Sequence, residues 1–224
     1  MYIYNGGTNS MSEKLAIFDV DFTLTKKETL IELFIFMLKK EPRLITHIPN
    51  NIYSALLYAL KIYDAKKLKQ IFIRFINGMK EEDMKLLVRE FYEKRLKAII
   101  YEDAIVMMKK LKKEGCKIYL ISASAEFYLE ELYQIKEVDK IIGTKFKFEK
   151  GTYNNIIEGV NCRGEEKVVR LFEVLKKENI EVDYKNSYMF SDSLSDMPLF
   201  KLVGNPYLIN YKKKHSYIKI LNWK

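Results

Sequence analysis

The fold of this chain is decided by the stretch Leu15-Ala16-Ile17-Phe18-Asp19-Val20-Asp21-Phe22-Thr23-Leu24-Thr25. Its apolar start is short and uninterrupted, which predicts a buried strand of a parallel sheet. Two carboxylates follow two positions apart, and a polar segment that leads into a helix comes after them. Ligands of open α/β sheets gather beyond the carboxyl ends of such strands. Asp19 and Asp21 are therefore predicted to lie at a binding or catalytic site.

The spacing of the two aspartates suits a division of labour. Residues i and i+2 point the same way only while a strand stays extended, so the loop after the strand can turn Asp21 away from Asp19. One carboxylate could then attack a phosphorus atom while it binds a metal ion, and the other could handle the proton of the leaving group. A turn that caps the next helix is the structural alternative for the same residues. The downstream sequence decides between them.

Composition narrows the class of protein. A chain of 224 residues, 48% of them hydrophobic, can bury a core domain and an inserted lobe. Cys116 and Cys162 are far apart and lack metal-ligand spacing, which argues against a disulfide framework or a zinc site and favours the cytoplasm. No apolar run approaches the roughly 18 residues of a transmembrane segment. Residues 1–11 are predicted to be a loose leader without secretory features, and Met11 is a plausible alternative start.

The net charge of +9 raises the alternative of a catalytically silent, basic nucleic-acid-binding protein. The lysines, however, are spread over most of the chain and interspersed with glutamates, and no platform of aromatic and basic residues stands out. A lysine-rich composition of the whole proteome explains this pattern better than a nucleic-acid interface. Nucleic acid is thus an unlikely partner.

The order of predicted elements indicates a doubly wound parallel α/β sheet with an inserted helical lobe. Residues 27–99 contain four helix candidates, among them 65–77 and 81–98, and no clear strand, so we predict an all-helical cap there. Residues 12–26 and 100–224 alternate strands with helices, which predicts the core domain. Later strands are expected at 117–121, 140–143, 187–190 and 206–209, with a small hairpin over 146–157.

Polar side chains follow three of these strands, where a parallel sheet would bring them together. They are Asp19 and Asp21, Ser122, and Asp192 with Asp196. Lys167, at the start of a helix, is expected beside them. Phosphoryl transfer needs such groups, because the charge on the phosphoryl oxygens must be neutralised by a cation, a lysine and hydroxyl or amide donors. Taken singly, a helix cap, a solvated lysine or a capped turn would explain each residue.

Taken in order, these motifs resemble the haloacid dehalogenase-like (HAD) hydrolase superfamily, subfamily IB, whose members include phosphoserine phosphatase. The resemblance covers about residues 14–210 and implies a Rossmann-like HAD core with a helical cap. It implies that Asp19 is the nucleophile that becomes an aspartyl-phosphate and that Asp21 is the general acid and base. It also implies that Ser122 and Lys167 bind the phosphoryl oxygens.

The same resemblance implies a Mg²⁺ cofactor. The ligands would be the carboxylates of Asp19 and Asp192 and the main-chain carbonyl of Asp21, with Asp196 holding metal-bound water in the second shell. Mg²⁺ prefers oxygen ligands and keeps several waters, so one or two carboxylates and a phosphate oxygen are enough. A dehalogenase is disfavoured, because it has no leaving alcohol for Asp21 to protonate.

The resemblance also suggests which residues contact the substrate. Glu28 and Arg74 fall where phosphoserine phosphatases contact the amine and the carboxylate of the substrate, which favours a small phosphorylated metabolite. Phe22 stands where relatives often have glycine or a small polar residue. Together with the apolar stretch 52–63 it suits an alternative, a lipid head-group phosphate met by transient contact with a membrane surface. Packing among the cap's own helices is the favoured explanation of that stretch.

Overall fold

A sheet of six parallel strands forms the centre of the protein in this computed structural model, which describes residues 12–224. The predicted leader at 1–11, with Met11, lies outside the described residues. The strands of the sheet and of a separate hairpin are, in chain order, β1 (Lys14–Phe18), β2 (Cys116–Ala125), β3 (Val138–Thr144), β4 (Phe146–Glu149), β5 (Thr152–Ile157), β6 (Tyr188–Ser191), β7 (Asn205–Ile209) and β8 (Lys219–Leu221). The order across the sheet is β3-β2-β1-β6-β7-β8, which places β1 in the middle.

The central strand shows why the sequence forms this sheet. Ala16 and Phe18 belong to one buried apolar cluster, and Leu15 and Ile17 belong to another. Successive side chains of a strand point to opposite faces, so both faces of β1 are covered and the strand is apolar throughout. β1 pairs in parallel with β2 on one side and with β6 on the other. The predicted doubly wound parallel α/β fold is confirmed.

Helices cover both faces of the sheet. They are α1 (Thr29–Lys40), α2 (Ile48–Ala59), α3 (Ala65–Phe72), α4 (Glu81–Phe91), α5 (Glu102–Lys113), α6 (Glu126–Leu129), α7 (Glu165–Glu178) and α8 (Met197–Leu202). Within residues 12–224, no helix combines the length and the apolar character that crossing a membrane requires.

The segment between β1 and α5 is helical, as the sequence predicts, and the β4–β5 hairpin is joined to it. Gly78 donates its N–H to the carbonyl of Tyr153 at 2.9 Å, and Tyr153 returns a bond to the carbonyl of Met79 at 2.8 Å. The hairpin therefore extends the helical lobe, although it comes much later in the chain. We keep the division into a core (12–26 and 100–224) and a cap (27–99) as a proposal.

Several element ends differ from the predicted ones. The helix predicted over 65–77 ends at Phe72, and residues Arg74–Ile76 form a separate 3-10 turn. The helix predicted over 81–98 changes to a π-helical turn at Tyr92–Leu96. The sequence did not predict α8 or β8, because each is very short.

Candidate active site

Lys167 lies at the centre of the site and joins two of the predicted aspartates. Its Nζ donates to Asp19 Oδ1 and to Asp196 Oδ2, each at 2.8 Å. Asp19 directly follows β1, and its backbone N–H bonds to the carbonyl of Phe190 in the neighbouring strand β6 at 2.9 Å. All three charged side chains are almost fully buried. Four parts of the chain thus meet at one ion-pair network.

Gly164 forms the turn that precedes α7, the helix that contains Lys167. Gly164 precedes α7 with φ +59°, a left-handed conformation that side chains disfavour. The backbone N–H of Lys167 bonds to the carbonyl of Gly164 at 3.1 Å in the first helical turn. An ideal Cβ on Gly164 would lie 3.7 Å from the carbonyl oxygen of Ser195, so the backbone conformation and not crowding favours glycine here.

The electrostatics of the site are dominated by negative charge. Burial is the largest influence on the pKa of Asp19 and raises it. Lys167 opposes this increase, the charges of Asp196 and Asp21 add to it, and the net result is a pKa of about 7. Burial alone would lower the pKa of Lys167, but the charges of Asp19 and Asp196 outweigh it and hold that pKa above its ordinary value. Lys167 is therefore a fixed cation, whereas the carboxylates carry more negative charge than one lysine neutralises.

Asp21 is held by a network that involves Thr29, the first residue of α1. Its Oδ1 accepts from the backbone N–H of Thr29 at 2.6 Å and from the Thr29 hydroxyl at 2.7 Å, and its Oδ2 accepts from Ser124 Oγ at 2.6 Å. Tyr128 Oη lies 3.0 Å from Thr29 Oγ1. Because Thr29 gives its only hydroxyl proton to the carboxylate, Tyr128 must donate in that pair. The orientation of Asp21 is thus fixed by three donors.

Ser122 lies near the carboxyl end of β2, as predicted, and is buried. Its Oγ accepts from the backbone N–H of Ser124 at 3.0 Å. Accepting this bond fixes the oxygen and does not use the hydroxyl proton, so Ser122 can still donate to an anion.

Asp192 follows β6, and its loop is tied to the loop after β1. The backbone N–H of Asp192 donates to Thr23 Oγ1 at 2.8 Å. Burial raises the pKa of Asp192 to about 6, and the charge of Asp196 contributes to the increase. Phe22 lies across from it with φ +58°, an unusual conformation for a bulky residue, and is 47% exposed. Phe22, Tyr101 and Asp192 line an open cavity of about 370 Å³.

The carboxylates of Asp19, Asp192 and Asp196 fit a divalent cation that takes few ligands from the protein. Asp196 Oδ1 is buried and has no hydrogen-bond partner within residues 12–224. In the same part of the chain, no three His, Cys, Asp or Glu side chains converge as a ready-made metal cluster. Mg²⁺ needs only one or two carboxylates, with water and phosphate oxygens completing its shell. The excess negative charge and the orphaned buried oxygen agree with that requirement.

A second cavity, of about 400 Å³, lies between the cap and the core. Its polar lining includes Glu28, Lys69 and Arg163, and Ala123, the neighbour of Ser122, also lines it. Lys69 Nζ donates to Asn161 Oδ1 at 2.7 Å and to the carbonyl of Ala123, so a cap side chain contacts β2 next to Ser122. Burial lowers the pKa of Lys69 to about 8.

Glu28 and Arg74, the two residues predicted to contact the substrate, lie in different places. Glu28 lines this cavity, and it also caps α1 by accepting from the backbone N–H of Ile31 at 2.7 Å. Burial raises the pKa of Glu28 to about 7, helped by the charge of Asp21. Arg74 is not among the residues that line the cavity. It lies beside His47, whose pKa is lowered by burial and by the charge of Arg74.

Sequence reasoning missed several residues of the site. They are Thr29, Asn51, Lys69, Ser124, Tyr128 and Asn161. Ser124 could have been found, because it lies at the carboxyl end of β2, two positions after Ser122. The others carry no motif, since their roles depend on contacts between parts of the chain that are far apart in sequence.

Comparisons with known proteins identify the family of this chain. A family model described as haloacid dehalogenase-like hydrolase matches residues 16–201. Protein CicA of Caulobacter vibrioides is 28% identical over 166 residues, which cover 71% of this chain and 72% of that protein. A Streptomyces azureus protein, named for inhibition of morphological differentiation, is 23% identical over 59% of this chain, and the match spans 47% of its own length.

Two solved structures share the fold. A protein of unknown function from Bordetella pertussis superposes with a TM-score of 0.81 at 21% identity, over 90% of this chain and 92% of that one. A substrate-bound phosphoserine phosphatase superposes with a TM-score of 0.62 at 16% identity, over 91% and 89% of the two chains.

Proposed function

Because this chain belongs to the haloacid dehalogenase-like hydrolases, we propose that it is a Mg²⁺-dependent phosphomonoesterase that works through a phosphorylated Asp19. The family predicted from the ordered motifs is confirmed, and the chain shares its fold with a phosphoserine phosphatase. One observation supports the finer proposal most: Lys167 bonds to both Asp19 and Asp196 at 2.8 Å in a buried site.

The proposed reaction has two displacements at phosphorus. A carboxylate oxygen of Asp19 forms a bond to phosphorus while the ester bond to the alcohol breaks, and Asp21 gives the leaving oxygen a proton. Water then attacks the phosphorylated Asp19, Asp21 takes a proton from that water, and Asp19 leaves as a carboxylate. Lys167 and Ser122 would balance the charge of the phosphoryl oxygens in both steps.

Mg²⁺ would be bound by the carboxylates of Asp19 and Asp192 and by the main-chain carbonyl of Asp21, with Asp196 in the second shell. When bound, it supplies positive charge that draws the phosphate dianion to a carboxylate nucleophile. Asp196 is already held by Lys167 and by the hydroxyl of Ser191 at 2.8 Å, and one of its oxygens remains free to accept from water.

The cavity under the cap supports a small organic alcohol as the leaving group, and the exposed apolar side chains of α2 support a second candidate substrate, a lipid head-group phosphate. Glu28 and Lys69 would provide one negative and one positive charge there, as a zwitterion such as phosphoserine requires. Lys69 takes the place that the sequence assigns to Arg74. The free, buried Cys116 and Cys162 agree with the proposed cytoplasmic location.

Turnover of para-nitrophenyl phosphate with Mg²⁺, with EDTA and with the Asp19→Asn variant tests the proposal. We expect Mg²⁺-dependent release of phosphate that Asp19→Asn abolishes. Asp83→Asn is the matched control, because Asp83 is an exposed aspartate in the first turn of α4. No metal-dependent turnover, together with salt-sensitive binding of DNA or RNA, would instead support the nucleic-acid alternative.

A further inference from the structure

We propose that the outer face of α2 docks on an anionic lipid surface, from which the enzyme takes an amphiphilic phosphomonoester. The uptake of an amphiphilic phosphomonoester rests on the proposed phosphatase function, whereas the docking does not. The docking itself depends on the surface of the cap and can be measured without turnover.

The outer face of α2 and the turn after it are apolar and exposed. The side chains are Ile52, Tyr53, Leu56, Leu60 and Ile62, and each is at least 55% exposed. Ile52, Leu56 and Leu60 are spaced four residues apart, so they lie on one side of the helix. The packing explanation of this stretch therefore does not account for these five side chains. Contiguous exposed apolar surface of this kind marks an interaction site.

The charge around this face favours a lipid surface over a protein partner. Residues 42–63 contain no aspartate or glutamate, and one acidic residue bounds the segment on each side, Glu41 and Asp64. Arg43 and Lys61 lie within that segment, and Lys66 and Lys67 follow it. A segment with apolar and aromatic side chains and basic flanks suits the interface of an anionic bilayer, where each nearby basic residue strengthens binding by about fivefold.

The apolar face continues into the cavity next to the catalytic site. Asn51, Ala55 and Tyr58 of the same helix line the cavity on the inner side, and Ile31 lines its edge. Ile31 is 50% exposed and Tyr58 is 36% exposed, so both belong to the mouth of the cavity and to the surface. An acyl or alkyl chain could therefore pass from the lipid surface along Ile31 and Tyr58 while its phosphate reaches Asp19.

Flotation with lipid vesicles tests the docking. Full-length protein is mixed with vesicles that contain equal amounts of phosphatidylglycerol and phosphatidylcholine, and with vesicles of phosphatidylcholine alone. The test variant is Ile52→Ser combined with Leu56→Ser. The matched control is Leu86→Ser combined with Val106→Ser, because those residues are as exposed but lie on α4 and α5. None of the four residues belongs to the proposed active site.

We expect binding to the anionic vesicles that falls by about tenfold or more in the test variant and is unchanged in the control variant. Turnover of para-nitrophenyl phosphate should be equal in all three proteins. Hydrolysis of a lysophosphatidic acid, presented in the anionic vesicles, should fall with binding. Comparing the two substrates separates the two proposals. The phosphatase proposal fails only if para-nitrophenyl phosphate is also not hydrolysed.

Two outcomes would overturn the docking. One is the absence of binding to anionic vesicles, or equal binding by the wild type and the test variant. The other is a dimer that the test variant converts to a monomer in light scattering, because the apolar face would then be covered by a second copy.

Discussion

Thr29 donates both its backbone N–H, at 2.6 Å, and its hydroxyl, at 2.7 Å, to the same oxygen of Asp21. Thr29 is the first residue of α1, so the beginning of the cap is fixed to the proposed acid and base of the core. The position of the cap and the orientation of the proton donor are therefore linked. A shift of α1 would turn Asp21 away from the leaving group.

Thr29→Val tests this link, because it keeps the shape and the backbone N–H but removes the hydroxyl. A hydrogen bond to a charged group contributes roughly 1.5 to 3 kcal/mol, so kcat should fall by about ten- to a hundredfold for alkyl phosphates. The loss should be much smaller for para-nitrophenyl phosphate, whose leaving group needs no proton. Thr46→Val is the control, since the hydroxyl of Thr46 bonds only to the carbonyl of Arg43 on an exposed turn. Equal losses for both substrates would mean that Thr29 does not act through Asp21.

Lys167→Ala should reduce both activity and stability. The loss of a charge that stabilises the transferred phosphoryl group costs about 3 kcal/mol in the transition state, or more than a hundredfold in kcat. The variant also leaves Asp19 and Asp196 buried without their cation, which should lower the free energy of unfolding by roughly 3 to 5 kcal/mol. Sequence alone suggests a lysine with little part in the fold, and its burial between two carboxylates changes that expectation.

Urea unfolding at neutral pH measures the stability, and stopped assays with folded protein measure kcat. Lys177→Ala is the control, because it removes an exposed lysine from the last turn of the same helix. Unchanged stability would show that Asp19 and Asp196 do not depend on Lys167 for their burial.

The protein without metal should become less stable as the pH rises. The pKa of Asp19 is about 7 in the folded state and near 4 in the unfolded state, so between these values the folded state holds a proton that the unfolded state has released. The free energy of unfolding therefore falls as the pH rises through about 7. The raised pKa values of Asp192 and Glu28 act in the same direction.

Thermal unfolding in EDTA at pH 5.5 and pH 8, compared at equal ionic strength, tests this prediction of proton linkage. We expect a lower Tm at pH 8 and a smaller difference in Asp19→Asn. Glu149→Gln, an exposed carboxylate of the hairpin, should behave like the wild type. A Tm that rises from pH 5.5 to pH 8 in the wild type only would contradict the raised pKa of Asp19.

Two asparagines at the cap cavity should respond in opposite ways to the same substitution. Asn51 is buried, and neither atom of its amide has a partner within residues 12–224. Asn161 accepts from Lys69 at 2.7 Å and from Thr144 at 2.9 Å. Asn51→Leu should raise the free energy of unfolding by about 1 kcal/mol, because it removes an unsatisfied amide, whereas Asn161→Leu should lower it by roughly 1 to 3 kcal/mol.

If the Asn51 amide pairs with the alcohol part of the substrate, Asn51→Leu should also raise KM for that substrate and leave para-nitrophenyl phosphate unaffected. Chemical denaturation and a substrate screen measure the two effects. A loss of stability in Asn51→Leu equal to that in Asn161→Leu would show that the Asn51 amide is satisfied in the protein.

The sequence predicts the parts of the site that stand at the ends of strands. Asp19, Ser122 and Asp192 each follow an apolar run, and parallel strands bring their carboxyl ends to one edge of the sheet. Arg74 shows where such reasoning stops. The sequence suggests one helix from 65 to 77, but α3 ends at Phe72, so Arg74 does not continue its face, whereas Lys69 lies within the regular helix and reaches the cavity.

The sequence indicated the apolar stretch 52–63 but did not determine whether its side chains are buried or exposed. Apolar residues at helical spacing indicate a buried face, and only the packing of α2 on its neighbours shows that Ile52 and Leu56 point outward. The contact of Thr29 with Asp21 depends on the direction in which α1 leaves the core, which no local pattern determines.

The most direct test of the proposed mechanism is the detection of phosphate on Asp19. The Asp21→Asn variant, which should slow release of the phosphate, is mixed rapidly with para-nitrophenyl phosphate and Mg²⁺, quenched in acid and digested for mass spectrometry. We predict a burst of para-nitrophenol equal to the enzyme concentration and one phosphoryl group on the peptide that contains Asp19, both absent from the Asp19→Asn variant. Steady turnover by the wild type with neither a burst nor a phosphorylated Asp19 peptide would contradict the account, because water would then attack the substrate directly.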